Sequence, residues 1–116
     1  MNDLERHDEA TVERLRADVT YLASPDLDGR APGTEGHELA ATYIEQRMTD
    51  LQLEPLFAGE YGQPIRGSVD GSGRNLCGQL PGETERRILI GAHYDHVPGC
   101  PGADDNAAAV AIALEV

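Results

Sequence analysis

The chain has 116 residues, 40% of them apolar, which is enough for one small domain with a single modest core. Its 21 acidic residues outnumber nine basic ones, so the formal charge is -12 at pH 7. That charge repels phosphate backbones and anionic lipid surfaces, so we expect neither nucleic acid nor a membrane as partner. The first twenty residues hold no apolar run flanked by basic side chains, which predicts a cytoplasmic protein, or a secreted or periplasmic one if an upstream start is missing.

Two amphipathic helices are predicted in the first half of the chain. The first covers residues 11–23, with Thr11 as its cap and apolar residues at three- and four-residue spacing. The second covers residues 35–51 behind Thr34. Its predicted buried stripe consists of Leu39, Ala40, Tyr43, Ile44, Met48 and Leu51. Between the helices, residues 24–36 are rich in Pro, Gly and Asp, which indicates a loop with specified turns.

The second half reads as strands followed by a helix. A short strand is predicted around residues 65–69, and two more over residues 75–80 and 87–92. The last of these contains Ile-Leu-Ile, which is apolar on both faces and predicts a central strand covered on both sides. Residues 107–116 are almost continuously apolar and predict a buried helix. In an open α/β sheet, ligands bind beyond the carboxyl ends of the strands, so we expect the chemistry after residue 92.

Residues 91–106, GAHYDHVPGCPGADDN, concentrate two His and three Asp directly after that apolar strand. If the strand continues, His93 and Asp95 leave the same face, and the carboxylate can receive one imidazole N–H while the other ring nitrogen binds metal. A carboxylate from Asp104 or Asp105 can supply the next ligand and bridge two ions about 3.5–4 Å apart. Nitrogen and oxygen ligands of this kind suit zinc, and cobalt or manganese fit the same pattern.

Simpler interpretations of the same residues remain open. A lone His-x-Asp pair is usually a surface hydrogen bond, and Asp-Asp-Asn is usually a solvated turn or helix cap. Calcium would need the D-x-[DN]-x-[DN]-G pattern, which is absent, and Ser72 stands in no nucleophile elbow. Cys100 lies near a His but has no orienting third group. We expect Cys77 and Cys100 to be free thiols.

The segment GAHYDHVPGCPGADDNAAAVAIALEV resembles the metal-binding segment of the co-catalytic zinc aminopeptidases related to bacterial leucyl aminopeptidase. Upstream, Tyr21-Leu22-Ala23-Ser24, Gly29-Arg30 and Pro32-Gly33-Thr34-Glu35-Gly36 follow that family's order, before a long helix. The resemblance spans most of the chain and is weakest over residues 55–73. It implies an α/β three-layer sandwich with a mixed, mostly parallel central sheet.

Carried over by position, the resemblance implies that His93 binds one of two zinc ions and that Asp95, the catalytic-site residue, orients that His. It implies that Asp105 bridges both ions, since the family's bridging Asp directly precedes Asn, Asp or Pro and is joined to it by a cis peptide bond. The corresponding bond is Asp105–Asn106, and Asp104 is the poorer candidate. Relatives usually have Ser-Gly where this chain has Ala108-Ala109.

The implied activity is hydrolysis of amino-terminal residues from peptides, with two zinc ions activating a water. The family's Glu-Glu pair and its later Asp and His ligands would lie beyond Val116, so residues 1–116 are expected to be the amino-terminal portion of one catalytic domain, inactive alone. Relatives acting as carboxypeptidases or glutaminyl cyclases, and non-catalytic binding domains of the same fold, are the alternatives.

Overall fold

The computed structural model describes residues 2–65 and 73–116, and its first half is helical. Helix α1 spans Asp3–Leu22, beginning well before the predicted residue 11. The early start has a local cause, because Asn2 and Glu5 form a capping box with two hydrogen bonds of 2.8 Å. The first turns carry few apolar residues, so hydrophobic periodicity could not reveal them.

A short 3₁₀ helix, Pro25–Arg30, leads into helix α2, Glu35–Asp50. The predicted cap is confirmed, since the Thr34 hydroxyl accepts a hydrogen bond from the His37 amide at 3.2 Å. The predicted stripe of α2 is only partly right, because Leu39 and Leu51 are exposed. The buried face instead comprises Gly36, His37, Ala40, Ala41 and Ile44.

One apolar core joins the three helices. It is built from Leu22, Leu27, Ala40, Ile44, Ala107, Val110 and Leu114. The last three residues belong to the carboxyl-terminal helix α3, Ala108–Glu115, and to the π-helical turn Ala103–Ala107 that precedes it. This placement confirms the helix predicted over residues 107–116. The core therefore brings the predicted metal-binding segment against the amino-terminal helices.

A polar contact also joins α1 to α2. Asp18 is 2% exposed, and its carboxylate accepts hydrogen bonds from Arg47 Nε at 3.0 Å and from the Tyr43 hydroxyl at 2.6 Å. Burial, followed by the hydrogen bond to Asp18, raises the pKa of Tyr43 well above its usual range. Both partners of the buried carboxylate come from one helix face, which fixes how α2 lies on α1.

In the part of the chain that the structure describes, four short strands form two antiparallel pairs. Strand β1, Glu54–Pro55, pairs with β4, Gly78–Gln79, and β2, Gly62–Pro64, pairs with β3, Arg74–Leu76. The strand predicted over residues 75–80 is thus present as two pieces, β3 and β4, with separate partners. Most of the strand predicted around residues 65–69 lies outside the described residues.

The prediction that residues 87–92 are covered on both faces is wrong for the described structure. Ile88 is 94% exposed and Leu89 is 87% exposed. Within residues 2–65 and 73–116, no strand pairs with this segment, so its apolar side chains have nothing to pack against. The two sheets described are antiparallel, and the three-layer sandwich stays a prediction. In the described part of the chain, no helix is both long and apolar enough to cross a membrane.

Candidate metal centre

His93 and Asp95 lie close together, as their spacing predicts. The His93 Nδ1 atom is 3.3 Å from the Asp95 backbone oxygen and 3.4 Å from the Asp95 carboxylate. The hydrogen bond goes to the backbone oxygen, and the carboxylate stands beside it. A carbonyl oxygen can only accept, so Nδ1 is the donor in this contact, and in a neutral ring with that tautomer Nε2 presents a lone pair. Both the backbone oxygen and the carboxylate of Asp95 thus lie beside Nδ1, where they favour the tautomer that is protonated on this nitrogen.

Asp105 faces this imidazole from the other side. Its Oδ1 atom is 3.1 Å from His93 Nε2, and its Oδ2 atom is 3.7 Å from His96 Nδ1. Within the described residues, the Asp104 side chain forms no hydrogen bond and no ion pair. The structure therefore brings together His93, Asp95 and Asp105 of the predicted residues, leaves Asp104 aside, and adds His96.

The pair formed by His93 Nε2 and Asp105 Oδ1 is suited to a shared cation. With the proton on Nδ1, both facing atoms carry lone pairs, and they attract each other only through a proton or a metal ion between them. Two ligands bound tetrahedrally to zinc at its usual bond lengths lie about 3.3 Å apart. The separation of 3.1 Å is close to that value. These residues fit part of a zinc site.

The set is not a complete coordination sphere. Within residues 2–65 and 73–116, no group of three or more His, Cys, Asp or Glu side chains is arranged to hold a metal ion. The side chains of His93 and Asp105 are 55% and 67% exposed, so both can reach further ligands or solvent. Zinc normally takes four ligands, and the described residues bring one imidazole and one carboxylate face to face, His93 and Asp105.

The predicted cis peptide bond joins Asp105 to Asn106. The Asn106 side-chain amide also donates to the His93 carbonyl oxygen at 3.4 Å. The turn that carries Asp105 is thus tied directly to the residue that faces it. We refer to residues 93–106 as the ligand loop.

The Arg30 side chain holds the ligand loop through hydrogen bonds to its backbone. The side chain is fully buried and donates to backbone carbonyl oxygens of Tyr94 at 2.7 Å, Pro101 at 2.9 Å and Gly102 at 3.1 Å. A further bond goes to the Leu22 carbonyl at the end of α1. Burial lowers the pKa of this guanidinium, and the carboxylates of the loop partly offset that effect.

The two residues before Arg30 contact the same loop. The Asp28 carboxylate accepts a hydrogen bond from the Gly99 amide at 2.9 Å. Gly29 has a φ of +85°, and a Cβ at this position would lie 1.9 Å from the Val97 carbonyl oxygen. Glycine is therefore required both for the backbone conformation and for the close approach of the loop.

Tyr94 anchors the loop on the side opposite His93 and Asp95. Its hydroxyl donates to the Arg74 carbonyl at 2.7 Å and lies 3.1 Å from His37 Nε2. The His37 and Tyr94 rings stack with centroids 4.7 Å apart, and His37 Nδ1 donates to the Arg30 carbonyl at 3.1 Å. Burial raises the pKa of Tyr94 to about 12.

Sequence reasoning missed these supporting residues. Period-two alternation already places Tyr94 on the face opposite its neighbours, so its inward position had a signal. Arg30 lies in a Gly- and Pro-rich turn and His37 in the first turn of α2, and neither position reveals what the side chain contacts. His96 was seen in the loop without a role. Cys77 and Cys100 are free in the structure.

An imidazole with an oriented tautomer, facing a carboxylate across the span of a metal ion, is typical of zinc-dependent hydrolases. In agreement, residues 75–116 match the model of Peptidase family M28, a zinc-dependent metallopeptidase family. The match begins within β3 and contains β4, the whole ligand loop and α3, and it supports a peptidase. No curated protein and no solved structure matches the chain.

Proposed function

We propose that this chain is part of a zinc-dependent aminopeptidase that hydrolyses amino-terminal residues from peptides with two zinc ions. The match of residues 75–116 to Peptidase family M28 supports the peptidase class. The aminopeptidase activity and the second ion are proposed from the resemblance of the ligand loop to co-catalytic zinc aminopeptidases. Peptides are accordingly the proposed substrate.

Three side chains have distinct roles in this proposal. His93 binds one zinc ion through Nε2, while Asp95 holds the proton on Nδ1 and so keeps Nε2 free to ligate. Asp105 directs Oδ1 towards His93 and leaves Oδ2 for the second ion. When bound, zinc polarises a carbonyl oxygen and lowers the pKa of water, the chemistry that peptide hydrolysis needs.

The observation that carries the proposal is the 3.1 Å contact between His93 Nε2 and Asp105 Oδ1. A solvated turn would not need a histidine whose proton is held on the far nitrogen. A cation site does, because its ligand atoms must present lone pairs to a common point. Exposure of both side chains leaves that point accessible.

The remaining ligands and the general base are proposed to come from outside these 116 residues, which would form the amino-terminal portion of one catalytic domain. The three-layer sandwich is proposed for that domain. Each ion would find too few ligands here for tight binding. We therefore expect the 116-residue chain to bind zinc weakly and to hydrolyse no peptide.

Isothermal titration calorimetry with zinc tests the site. The adjacent residues Asp104 and Asp105 provide a matched pair of substitutions. Asp105→Asn should weaken zinc binding about tenfold or more, because it removes a charged ligand. Asp104→Asn, one residue away, should leave the affinity unchanged. Equal effects of the two substitutions, or undetectable binding by the unmodified chain at millimolar zinc, would count against the site.

A peptidase assay tests whether these 116 residues lack the rest of the active site, as proposed. An aminoacyl p-nitroanilide reports removal of an amino-terminal residue, and a peptide with a blocked amino terminus reports carboxypeptidase action. The 116-residue chain should cleave neither. Chelator-sensitive cleavage by this chain would contradict the proposed division of the site, and cleavage of only the blocked peptide would contradict the aminopeptidase assignment.

A further inference from the structure

Arg30 is unusual among the buried side chains because no carboxylate neutralises it directly. The residue is fully buried, and within the described structure it forms no ion pair. All of its hydrogen bonds go to backbone carbonyl oxygens, at Leu22, Tyr94, Pro101 and Gly102. Burying a charge costs free energy unless its hydrogen bonds are satisfied. The role of Arg30 can therefore be sought in the segments that supply these carbonyl oxygens.

Three of those carbonyls belong to the ligand loop, and they lie at its two ends. Tyr94 stands between His93 and Asp95, whereas Pro101 and Gly102 lead into the turn that carries Asp105. One planar guanidinium thus holds both ends of the loop, although they are separated by the Gly- and Pro-rich residues between them. The Gly102 position is tight as well, since a Cβ there would lie 2.8 Å from Arg30 Nη2.

We infer that Arg30 is a positioning residue that sets the separation between the His93 end and the Asp105 end of the ligand loop. The inference rests on the proposed metal site, which it deepens by naming what holds the ligands in place. Asp28 and Gly29 assist, because they contact the middle of the loop at Gly99 and Val97. The cation also interacts electrostatically with Asp95 and Asp105, and no hydrogen bond from Arg30 occupies the Asp105 oxygens that the proposed metal site needs.

Arginine suits this task better than lysine. Its guanidinium presents five N–H groups in one rigid plane, so the directions of the hydrogen bonds are fixed together. A lysine ammonium has three donors at a single point and cannot reach carbonyls on both sides. Substitution by lysine keeps the positive charge but removes the planar set of N–H donors. It therefore separates the effect of the charge from the effect of the hydrogen-bond geometry.

The test combines Arg30→Met and Arg30→Lys with Arg47→Met as a matched control. Arg47 is also a largely buried arginine, but it pairs with Asp18 between α1 and α2. Two quantities are measured on the 116-residue chain: amide hydrogen exchange across residues 93–106 without metal, and the dissociation constants of zinc and cobalt. The visible spectrum of bound cobalt reports the ligand geometry.

Arg30→Met should accelerate exchange in the ligand loop and weaken metal binding about tenfold or more, in the range found for residues that orient ligands. Arg30→Lys should recover part of the affinity with an altered cobalt spectrum. Arg47→Met should destabilise the helix pair and leave both loop exchange and metal affinity unchanged.

Unchanged loop exchange and metal affinity in Arg30→Met, confirmed as folded by circular dichroism, would overturn the inference. So would equal losses in Arg30→Met and Arg47→Met, because they would indicate general destabilisation. If Arg30→Met fails to fold, Arg30→Lys decides by the same two measurements. If the unmodified chain binds no metal, the proposed function fails, whereas loop exchange still decides the role of Arg30.

Discussion

A fully buried arginine, Arg30, and a partly buried one, Arg47, hold the described structure together in different ways. Arg47 meets the Asp18 carboxylate at 3.0 Å, so the contact between α1 and α2 is an ion pair that is neutral as a unit. Within residues 2–65 and 73–116, the Arg30 side chain bonds only to carbonyl oxygens, so the contact between the 3₁₀ helix and the ligand loop keeps its positive charge. The Arg47 contact joins two helices, whereas the Arg30 contacts shape a loop that is not part of a β-sheet.

The difference shows how the chain divides its tasks. A carboxylate beside Arg30 would cancel the charge that faces Asp95 and Asp105, and it would compete with the loop carbonyls for the same N–H groups. The contact between α1 and α2 positions no proposed metal ligand, so a neutral ion pair between Arg47 and Asp18 can hold the two helices together. The comparison predicts that damage to the helix pair lowers stability, whereas damage to the loop contact alters geometry as well.

The largest effect is expected from Asp18→Ala, which leaves Arg47 buried without its partner. The free energy of unfolding should fall by about 3 kcal/mol, the lower end for breaking a buried ion pair. Urea denaturation followed by circular dichroism measures this. Asp50→Ala is the control, since Asp50 is exposed and accepts one bond from Gln46, and it should change stability by less than about 0.5 kcal/mol. A loss below 1 kcal/mol for Asp18→Ala would contradict the comparison.

A somewhat smaller loss is expected from Gly29→Ala, which acts on the loop contact. The new Cβ would meet the Val97 carbonyl, and the positive φ would become strained, costing about 1–3 kcal/mol. Zinc affinity should fall with it, because the loop must move. Gly82→Ala has open space around the new Cβ and should change neither quantity. Full stability in Gly29→Ala would show that the loop does not approach this turn closely.

The smallest effect at neutral pH is expected from Tyr94→Phe, which should cost about 1 kcal/mol for its lost hydrogen bond. The pKa of Tyr94 is raised to about 12 in the folded chain, from an unperturbed 10.0. Folding thus favours the neutral phenol, so the stabilisation is complete below pH 10 and is lost as the pH rises towards 12.

Stability measured from pH 8 to pH 12 checks this expectation. The decline above pH 10 should be shallower in Tyr94→Phe than in the unmodified chain. Tyr43→Phe is the counterpart in the helix pair, where burial also raises the phenol pKa. Identical alkaline profiles for the unmodified chain and Tyr94→Phe would show that Tyr94 is not held in its neutral form.

Sequence alone indicated the parts of this structure that depend on local pattern. Helix α2 and its Thr34 cap follow from apolar spacing and capping chemistry, and the cis bond at Asp105–Asn106 follows from the resemblance. The meeting of His93 with Asp105 required the same resemblance, since spacing left Asp104 open as well.

The contacts of Arg30 could not be predicted, because they join residues far apart in the chain and depend on how the loop folds back. The covered strand at residues 87–92 was predicted from an apolar pattern that states a preference for burial. Such a pattern does not say whether neighbouring strands are at hand. The described residues provide no neighbouring strand, and the side chains of Ile88 and Leu89 are exposed to solvent.

That exposed apolar segment has a consequence for handling the protein. Ile88 and Leu89 form a short β-prone stretch of the kind that pairs with copies of itself. Mutual repulsion between chains of charge -12 opposes such pairing near neutral pH. The opposing charge vanishes close to the isoelectric point, about 4.5, where the same stretch becomes a nucleus for precipitation.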